Sequence, residues 1–170
     1  NEYVVYTYAA VTIERILSIR ESVSSPTFIF NKNDISSSSD MLLGNLMTLI
    51  MKQGTAPEKF AENEFLMKAV FRILQTTEDT IQPSFPNILN QLINIINIIA
   101  KNPSNPRFSH FTFESVGCLV RYTSAQSLVT LMDSMMPCFL HILSEDIQEF
   151  IAYVFQIISY SIEKLGMVPE

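Results

Sequence analysis

The feature that most constrains this chain is a short pattern that returns in every second apolar segment. Each copy has an aromatic residue after a polar one and a residue no larger than valine four positions later. A large ring one turn before a small residue lets a neighbouring helix approach closely. We therefore expect the four aromatic residues to occupy equivalent core sites, with the middle two mostly buried. They are 62, 46 and 39 residues apart and comprise Tyr3, Phe65, Phe111 and Phe150.

The segments that carry this pattern have the spacing of helices. Only four glycines occur in 170 residues, and the apolar positions recur at helical rather than strand-like intervals. Pro137 falls inside one such segment and predicts a kink or a break there, and Pro169 is expected to follow the last helix. The predicted helices are near 2–20, 39–52, 62–76, 84–101, 108–123, 126–143 and 146–164.

Helix pairs that return every ~40–47 residues are typical of HEAT-type arrays. One pair cannot bury its apolar face alone, so neighbouring pairs stack. The sequence predicts an all-α HEAT-repeat solenoid (α-α superhelix) over 1–170, with about three and a half helix pairs. Its parts are a lone helix at 1–20, an insertion loop at 21–38, and pairs at 39–76, 84–123 and 126–164. We expect Phe28-Ile29-Phe30 to pin the insertion to the solenoid; the alternative is a partner-binding loop.

Composition excludes several function classes. Seventeen acids against eleven bases give a net charge of −6, which disfavours nucleic acid as a partner. Asparagines and a glutamine interrupt the most apolar stretch, 88–100, so no membrane span is predicted. Cys118 and Cys138 are too few for a disulfide framework. Without a metal-spaced cluster or a glycine-rich phosphate loop, we predict no enzyme, metal or cofactor.

Charged residues suggest where a protein partner binds. Glu64, Lys68 and Arg72 are four apart and form one exposed row on their helix. In a solenoid the equivalent rows lie side by side, so they form either a binding strip or a solvated face. Acids also gather at helix starts, where they either offset the helix dipole or attract a basic partner. The predicted partner-binding residues are Glu62, Glu64, Lys68, Arg72, Glu114, Glu145, Asp146 and Glu149.

Several stretches resemble a known family. They are Asn1-Glu2-Tyr3-Val4-Val5-Tyr6-Thr7-Tyr8-Ala9-Ala10 with Glu14-Arg15-Ile16-Leu17, Glu62-Asn63-Glu64-Phe65-Leu66-Met67-Lys68, Lys101-Asn102-Pro103-Ser104-Asn105-Pro106-Arg107-Phe108, and Asp146-Ile147-Gln148-Glu149-Phe150-Ile151. In this order they resemble the CAS-type exportins, the importin-α re-exporters of the importin-β (karyopherin) superfamily. The insertion, with Ser25-Pro26, is most similar to fungal members.

The resemblance implies a nuclear export receptor that shuttles between nucleus and cytoplasm. Such receptors bind importin-α together with the GTPase Ran in its GTP form, and dock on Phe-Gly nucleoporins. The second helix of each pair would line the concave, cargo-facing surface, and the first helix the convex surface. The repeat pattern alone also allows a generic HEAT-repeat adaptor in another complex.

The chain begins with Asn1 rather than Met and is several times shorter than such receptors. We therefore expect a central segment of a longer solenoid, without the family's N-terminal Ran-binding repeats. A solenoid cut in its middle exposes apolar flanks that its neighbours would cover. The fragment is accordingly expected to self-associate through its cut ends.

Overall fold

The computed structural model describes residues 2–54 and 56–166; Asn1 and Pro169 lie outside them. Within these residues the chain is helical and contains no strand, and Arg20 and Phe28 form an isolated antiparallel bridge. A 3-10 turn, Gln82–Ser84, leads into the fifth helix. The helices are α1 (Glu2–Ile16), α2 (Lys32–Met51), α3 (Pro57–Phe60), α4 (Glu64–Thr77), α5 (Phe85–Ile99), α6 (Pro106–Tyr122), α7 (Ala125–Ser144) and α8 (Gln148–Lys164).

The helices pack as stacked pairs. α2 contacts α4, α5 contacts α6, and α7 contacts α8. Along the stack α1, α4, α6 and α8 contact one another in succession, and we call these four the second-helix row. On the other side α5 contacts α7, and the short α3, which the sequence did not predict, packs on α5. Each paired helix therefore buries one face against its partner and its flanks against the neighbouring repeats, whereas α1 packs on α4 without a pair partner.

The repeat length is close to 42 residues. Leu66, Phe108 and Phe150 are each the third residue of a second helix, each is fully buried, and each follows the last by 42 positions. Hydrogen bonds between neighbouring repeats have nearly the same separation, from 41 to 44 residues in most cases. The intervals of 62, 46 and 39 taken from the aromatic pattern are therefore in the wrong register.

The register error explains a wrong core prediction. Phe65 is 42% exposed, whereas its neighbour Leu66 is fully buried. A shift of one position rotates a side chain by about 100° around a helix axis, enough to turn it from the core to solvent. Phe111 is partly buried and packs on Phe71, with ring centroids 5.8 Å apart. Tyr3, at the start of α1, is 36% exposed.

The predicted insertion at 21–38 is also too long. α2 begins at Lys32, because Asn31 and Asp34 form a capping box: the Asn31 side chain accepts from the N–H of Asn33, and Asp34 accepts from the N–H of Asn31. The run of serines read as loop therefore lies inside a helix, where Ser39 is buried and donates to Ser36. The first helix ends at Ile16 rather than 20.

The segment between α1 and α2, residues 17–31, is held against the second-helix row. The Phe28 ring lies between two guanidinium groups, 5.2 Å from Arg20 and 5.6 Å from Arg72. Phe30 packs against the core, whereas Ile29 is 49% exposed. Two of the three apolar residues thus hold the segment in place.

The seventh helix bears on two expectations, the kink or break at Pro137 and the absence of a membrane span. α7 runs from Ala125 to Ser144 as one helix, so Pro137 does not end it. It is also the one helix of residues 2–54 and 56–166 that is long and apolar enough to cross a membrane by length and composition, with a mean hydropathy of 1.3. α7 packs on α5 and α8 and buries Leu128, Met135 and Ile142, and 33% of its apolar window is buried in the structure.

Candidate partner-binding surface

An acid on α1 organises the start of the second-helix row. Glu14 lies 3.4 Å from the Lys68 ammonium and 3.7 Å from the Arg72 guanidinium, and its side chain is only 13% exposed. Ser18 donates to the same carboxylate over 3.0 Å. Lys68 and Arg72 were predicted to stand in a free row on α4. They instead tie α4 to α1, because one carboxylate can form ion pairs with both cations.

The same two cations also contact rings and a neighbouring amide. The Lys68 ammonium lies 5.8 Å from the centre of the Phe111 ring on α6. Arg72 donates to the side-chain oxygen of Gln75 over 2.7 Å and faces Phe28, as described above. Both side chains are thereby shared between elements of this chain, which reduces what they offer to a partner.

Between α4 and α6 the link is again ionic. Arg107 Nη1 lies 3.0 Å from Glu64 Oε1, and the Glu64 side chain is 20% exposed. Asn105 caps α6 by accepting from the N–H groups of Arg107 and Phe108, and its amide donates to the Ala61 carbonyl. Glu62 is exposed and lies 3.3 Å from Lys59. Both acids at the start of α4 therefore have a cation within this chain.

Between α6 and α8 the contacts are mainly aromatic. Phe113 lies edge-on to Phe150 with centroids 5.0 Å apart, and it stacks on Tyr153 at 4.9 Å with the rings 4° from parallel. His110 Nδ1 is 3.3 Å from the Tyr153 hydroxyl. Such ring pairs add to the stabilisation that burial of apolar area already provides.

A lysine closes the far end of this junction. The Lys164 ammonium on α8 donates to the carbonyls of Val120, Arg121 and Thr123 over 2.9, 2.6 and 2.7 Å. These carbonyls belong to the last turn of α6 and to the residue that follows it. The last carbonyls of a helix have no N–H donor within that helix, and the helix dipole favours a cation at this end.

The remaining predicted binding residues are more open. Glu114 on α6 is half-buried and lines a cleft between α6 and α8. Glu145, Asp146 and Glu149 are exposed around the turn from α7 to α8. Asp146 has a φ of 52° and its carboxylate accepts from Gln148. Among residues 2–54 and 56–166 these four acids form no ion pair.

Acid–base chemistry and metal binding find little support on this surface. Burial raises the pKa of the Cys118 thiol to about 12 and that of Cys138 to about 11, so both remain protonated near neutral pH. No group of three potential metal ligands occurs in the part of the chain that the structure describes. The surface has charged side chains at one end and aromatic rings at the other.

Two partners in these contacts escaped the sequence prediction. Glu14 is 54 residues before Lys68. The segment between α1 and α2 makes this interval longer than one repeat, so a search at the repeat spacing does not pair the two residues. Arg107 follows Glu64 by 43 residues, which is one repeat. A search for opposite charges one repeat apart would have found the second pair.

Comparison with known proteins places this architecture. A family profile described as "CAS/CSE protein, C-terminus" matches residues 14–169. The chain belongs to the CAS/CSE family. Its fold is the HEAT-repeat solenoid, since a solved structure described as "The exportin Cse1 in its cargo-free, cytoplasmic state" matches 96% of the chain with a TM-score of 0.84 and 58% identity.

Relatives within the CAS/CSE family come from fungi and animals. The importin alpha re-exporter of Saccharomyces cerevisiae is 63% identical over 170 residues, all of this chain. The importin-alpha re-exporter of Schizosaccharomyces pombe is 38% identical over 98% of the chain, and human exportin-2 is 33% identical over 94%. The chain spans 16–18% of the length of these relatives and 16% of the matched Cse1 chain.

Proposed function

We propose that this chain is a segment of a nuclear export receptor that carries importin-α out of the nucleus in a Ran-GTP-dependent complex. The observation that carries the proposal is the 63% identity, over the whole chain, to a protein whose name is importin alpha re-exporter. In that role the segment is a flexible protein-binding scaffold. Transport receptors of this kind shuttle between nucleus and cytoplasm, and the proposal extends to docking on Phe-Gly nucleoporins during passage through the pore.

The structure supports a scaffold in which repeats move relative to each other. Neighbouring second helices are joined by side-chain packing together with a few ion pairs and hydrogen bonds, such as Glu64 with Arg107 and Lys164 with the α6 carbonyls. Small shifts at each junction add along a solenoid, so ligands can select among curvatures. Importin-α and Ran-GTP are coupled in this proposal because both favour the same curvature.

The partner-binding side is proposed to be the second-helix row. Its acids that form no ion pair in the described residues include four on α6 and at the start of α8, namely Glu114, Glu145, Asp146 and Glu149. A basic partner is attracted to such a surface, and salt weakens the attraction. Glu62, Glu64, Lys68 and Arg72 contribute less directly, since their charges are already paired within the chain.

A chimera tests the proposal. The matching segment of the Saccharomyces cerevisiae importin alpha re-exporter would be replaced by residues 1–170 of this chain, and capture of importin-α measured with Ran-GTP, with Ran-GDP and without Ran. We expect capture only with Ran-GTP. A chimera carrying Phe150→Ala, which removes a fully buried ring, serves as the control for a misfolded segment.

Equal capture of importin-α with Ran-GTP, with Ran-GDP and without Ran would instead indicate a generic HEAT-repeat adaptor. A folded chimera, judged by its thermal unfolding, that captures no importin-α under any condition would contradict the proposal. The parental receptor, assayed in parallel, shows that the capture assay itself works.

A further inference from the structure

A cleft between α6 and α8 opens on the second-helix row. Its volume is about 100 Å³ and one side faces solvent. The floor is apolar and is formed by Phe113, Val120 and Ile157, which are all buried. Tyr153 and Tyr160 border it on the α8 side. The cleft therefore combines an apolar floor with an aromatic wall.

A glycine in the middle of α6, Gly117, lines the cleft. Gly117 has no positive φ, and nothing lies within 4 Å of where a Cβ would be. Neither the backbone conformation nor the packing therefore requires a glycine at this position. Glycine also weakens a helix relative to alanine. One repeat earlier, in α4, the equivalent residue is Gln75, which accepts a hydrogen bond from Arg72 over 2.7 Å. The space that a side chain uses in α4 is left open in α6.

Charge gives the cleft a direction. Glu114 and Arg121 line it from α6, two turns or about 10.5 Å apart along the helix axis. Neither forms an ion pair within residues 2–54 and 56–166, whereas Glu14 and Glu64 hold cations on the same row. A positive group in the cleft is attracted to the Glu114 end and repelled from the Arg121 end.

We propose that this cleft, here called the Gly117 cleft, receives one lysine or arginine side chain of a partner protein. The methylene stem lies over Gly117 on the apolar floor, as such stems do on apolar surfaces. The charged head reaches Glu114 and forms charge-assisted hydrogen bonds. Tyr153 beside it adds a cation–π contact. The inference rests on the proposed function only in taking the second-helix row as the protein-binding side.

Three substitutions separate this site from general attraction to an acidic chain. Gly117→Met fills the cleft without changing charge, Glu114→Gln removes its acid, and Asp133→Asn removes an exposed acid on α7, away from the second-helix row. The probe is a fluorescent peptide in which arginine alternates with glycine, titrated into the 1–170 chain at low salt and followed by anisotropy. We expect Gly117→Met and Glu114→Gln to weaken binding about tenfold, and Asp133→Asn less than about twofold.

The proposal is overturned by any of three results. They are a Gly117→Met chain that binds as tightly as the wild type, equal losses in Glu114→Gln and Asp133→Asn, and no saturable binding by the wild type up to about 1 mM peptide. Thermal unfolding checks each variant, and Gly117→Leu replaces Gly117→Met if methionine prevents folding. The assay contains neither importin-α nor Ran, so failure of the chimera to capture importin-α leaves its result unchanged.

Discussion

The two ends of the second-helix row are joined to their neighbours by different interactions. At one end α1 meets α4 through Glu14 and its two cations, and Ala10 is the buried residue of that helix. At the other end α6 meets α8 through stacked rings and the Lys164 ammonium. Ion pairs near a surface contribute little and are screened by salt, whereas buried rings contribute several kcal/mol. The same repeat geometry therefore joins one end largely through charged side chains and the other largely through aromatic rings.

The largest expected effect is at the aromatic junction. Phe150→Ala removes a fully buried ring that contacts Phe113, and we expect it to lower the free energy of unfolding by about 3–5 kcal/mol. Phe65→Ala is the matched control, because its ring is 42% exposed and its loss should cost less than about 1.5 kcal/mol. Urea denaturation of both variants measures the difference. Equal losses would mean that the register based on Leu66, Phe108 and Phe150 is wrong.

The next effect concerns the lysine that closes the same junction. Lys164→Met keeps an apolar stem but removes the donor to three carbonyls, and we expect a loss of about 1–3 kcal/mol. Hydrogen exchange should increase in the last turn of α6 and in α8. Glu163→Gln changes an exposed neighbour on α8 and should leave stability unchanged. If both variants unfold at the same urea concentration as the wild type, the contact contributes nothing.

The ionic junction should respond more weakly and depend on salt. Glu14→Gln leaves Lys68 and Arg72 without their shared carboxylate, and we expect a loss of about 1 kcal/mol at low salt. The difference from the wild type should shrink in about 1 M salt, where the screening length is near 3 Å. Hydrogen exchange should rise in α1 and not in α8. A loss that is unchanged by salt would show that packing, not charge, joins α1 to α4.

The α1 end should also self-associate more strongly than the α8 end. α1 exposes Val5 (69%) and Tyr8 (70%), whereas on α8 the most exposed large apolar residue is Phe155 at 57%. We predict that the fragment self-associates, and that Tyr8→Lys weakens association about fivefold, more than Phe155→Lys does. Sedimentation over a wide concentration range measures both. A wild-type chain that stays monomeric throughout would contradict the prediction.

The comparison also shows what a sequence of this kind reveals. Helical spacing, the near absence of glycine and the return of helix pairs were enough to predict an all-α stack, because burial of one face per helix controls these patterns. The register was harder. Aromatic residues occur on both sides of the boundary between core and solvent, so Phe65 and Phe150 looked equivalent although only Phe150 is buried.

The candidate surface was less accessible to sequence reasoning than the fold. Lys68 and Arg72 were expected to face a partner, yet their partner is Glu14, which is remote in sequence and separated by a segment of irregular length. Gly117 gave no signal by itself, because its meaning depends on the cleft that α8 forms beside it. Contacts across an insertion and empty volumes between helices are properties of packing, and no local pattern encodes them.

The smallest expected effect is on the rate of partner binding. The exposed acids at the start of α8 have no cation in the described residues, whereas Glu62 at the start of α4 has Lys59. In the importin alpha re-exporter chimera, Glu145→Lys with Glu149→Lys should slow association with importin-α and Ran-GTP by a few-fold at low salt. Glu62→Lys should slow it less. Exposed charges act chiefly on encounter, so the dissociation rate should change little.

Asp146 is left unchanged in this test because its φ of 52° suits Asp better than Lys, and a strained turn would confuse the result. Both substituted glutamates are exposed, so the free energy of unfolding should stay within about 0.5 kcal/mol of the parent. Association is measured by stopped flow against ionic strength. If the double variant and the parent chimera have the same rate and the same salt dependence, the acids at this helix start serve only to offset its dipole.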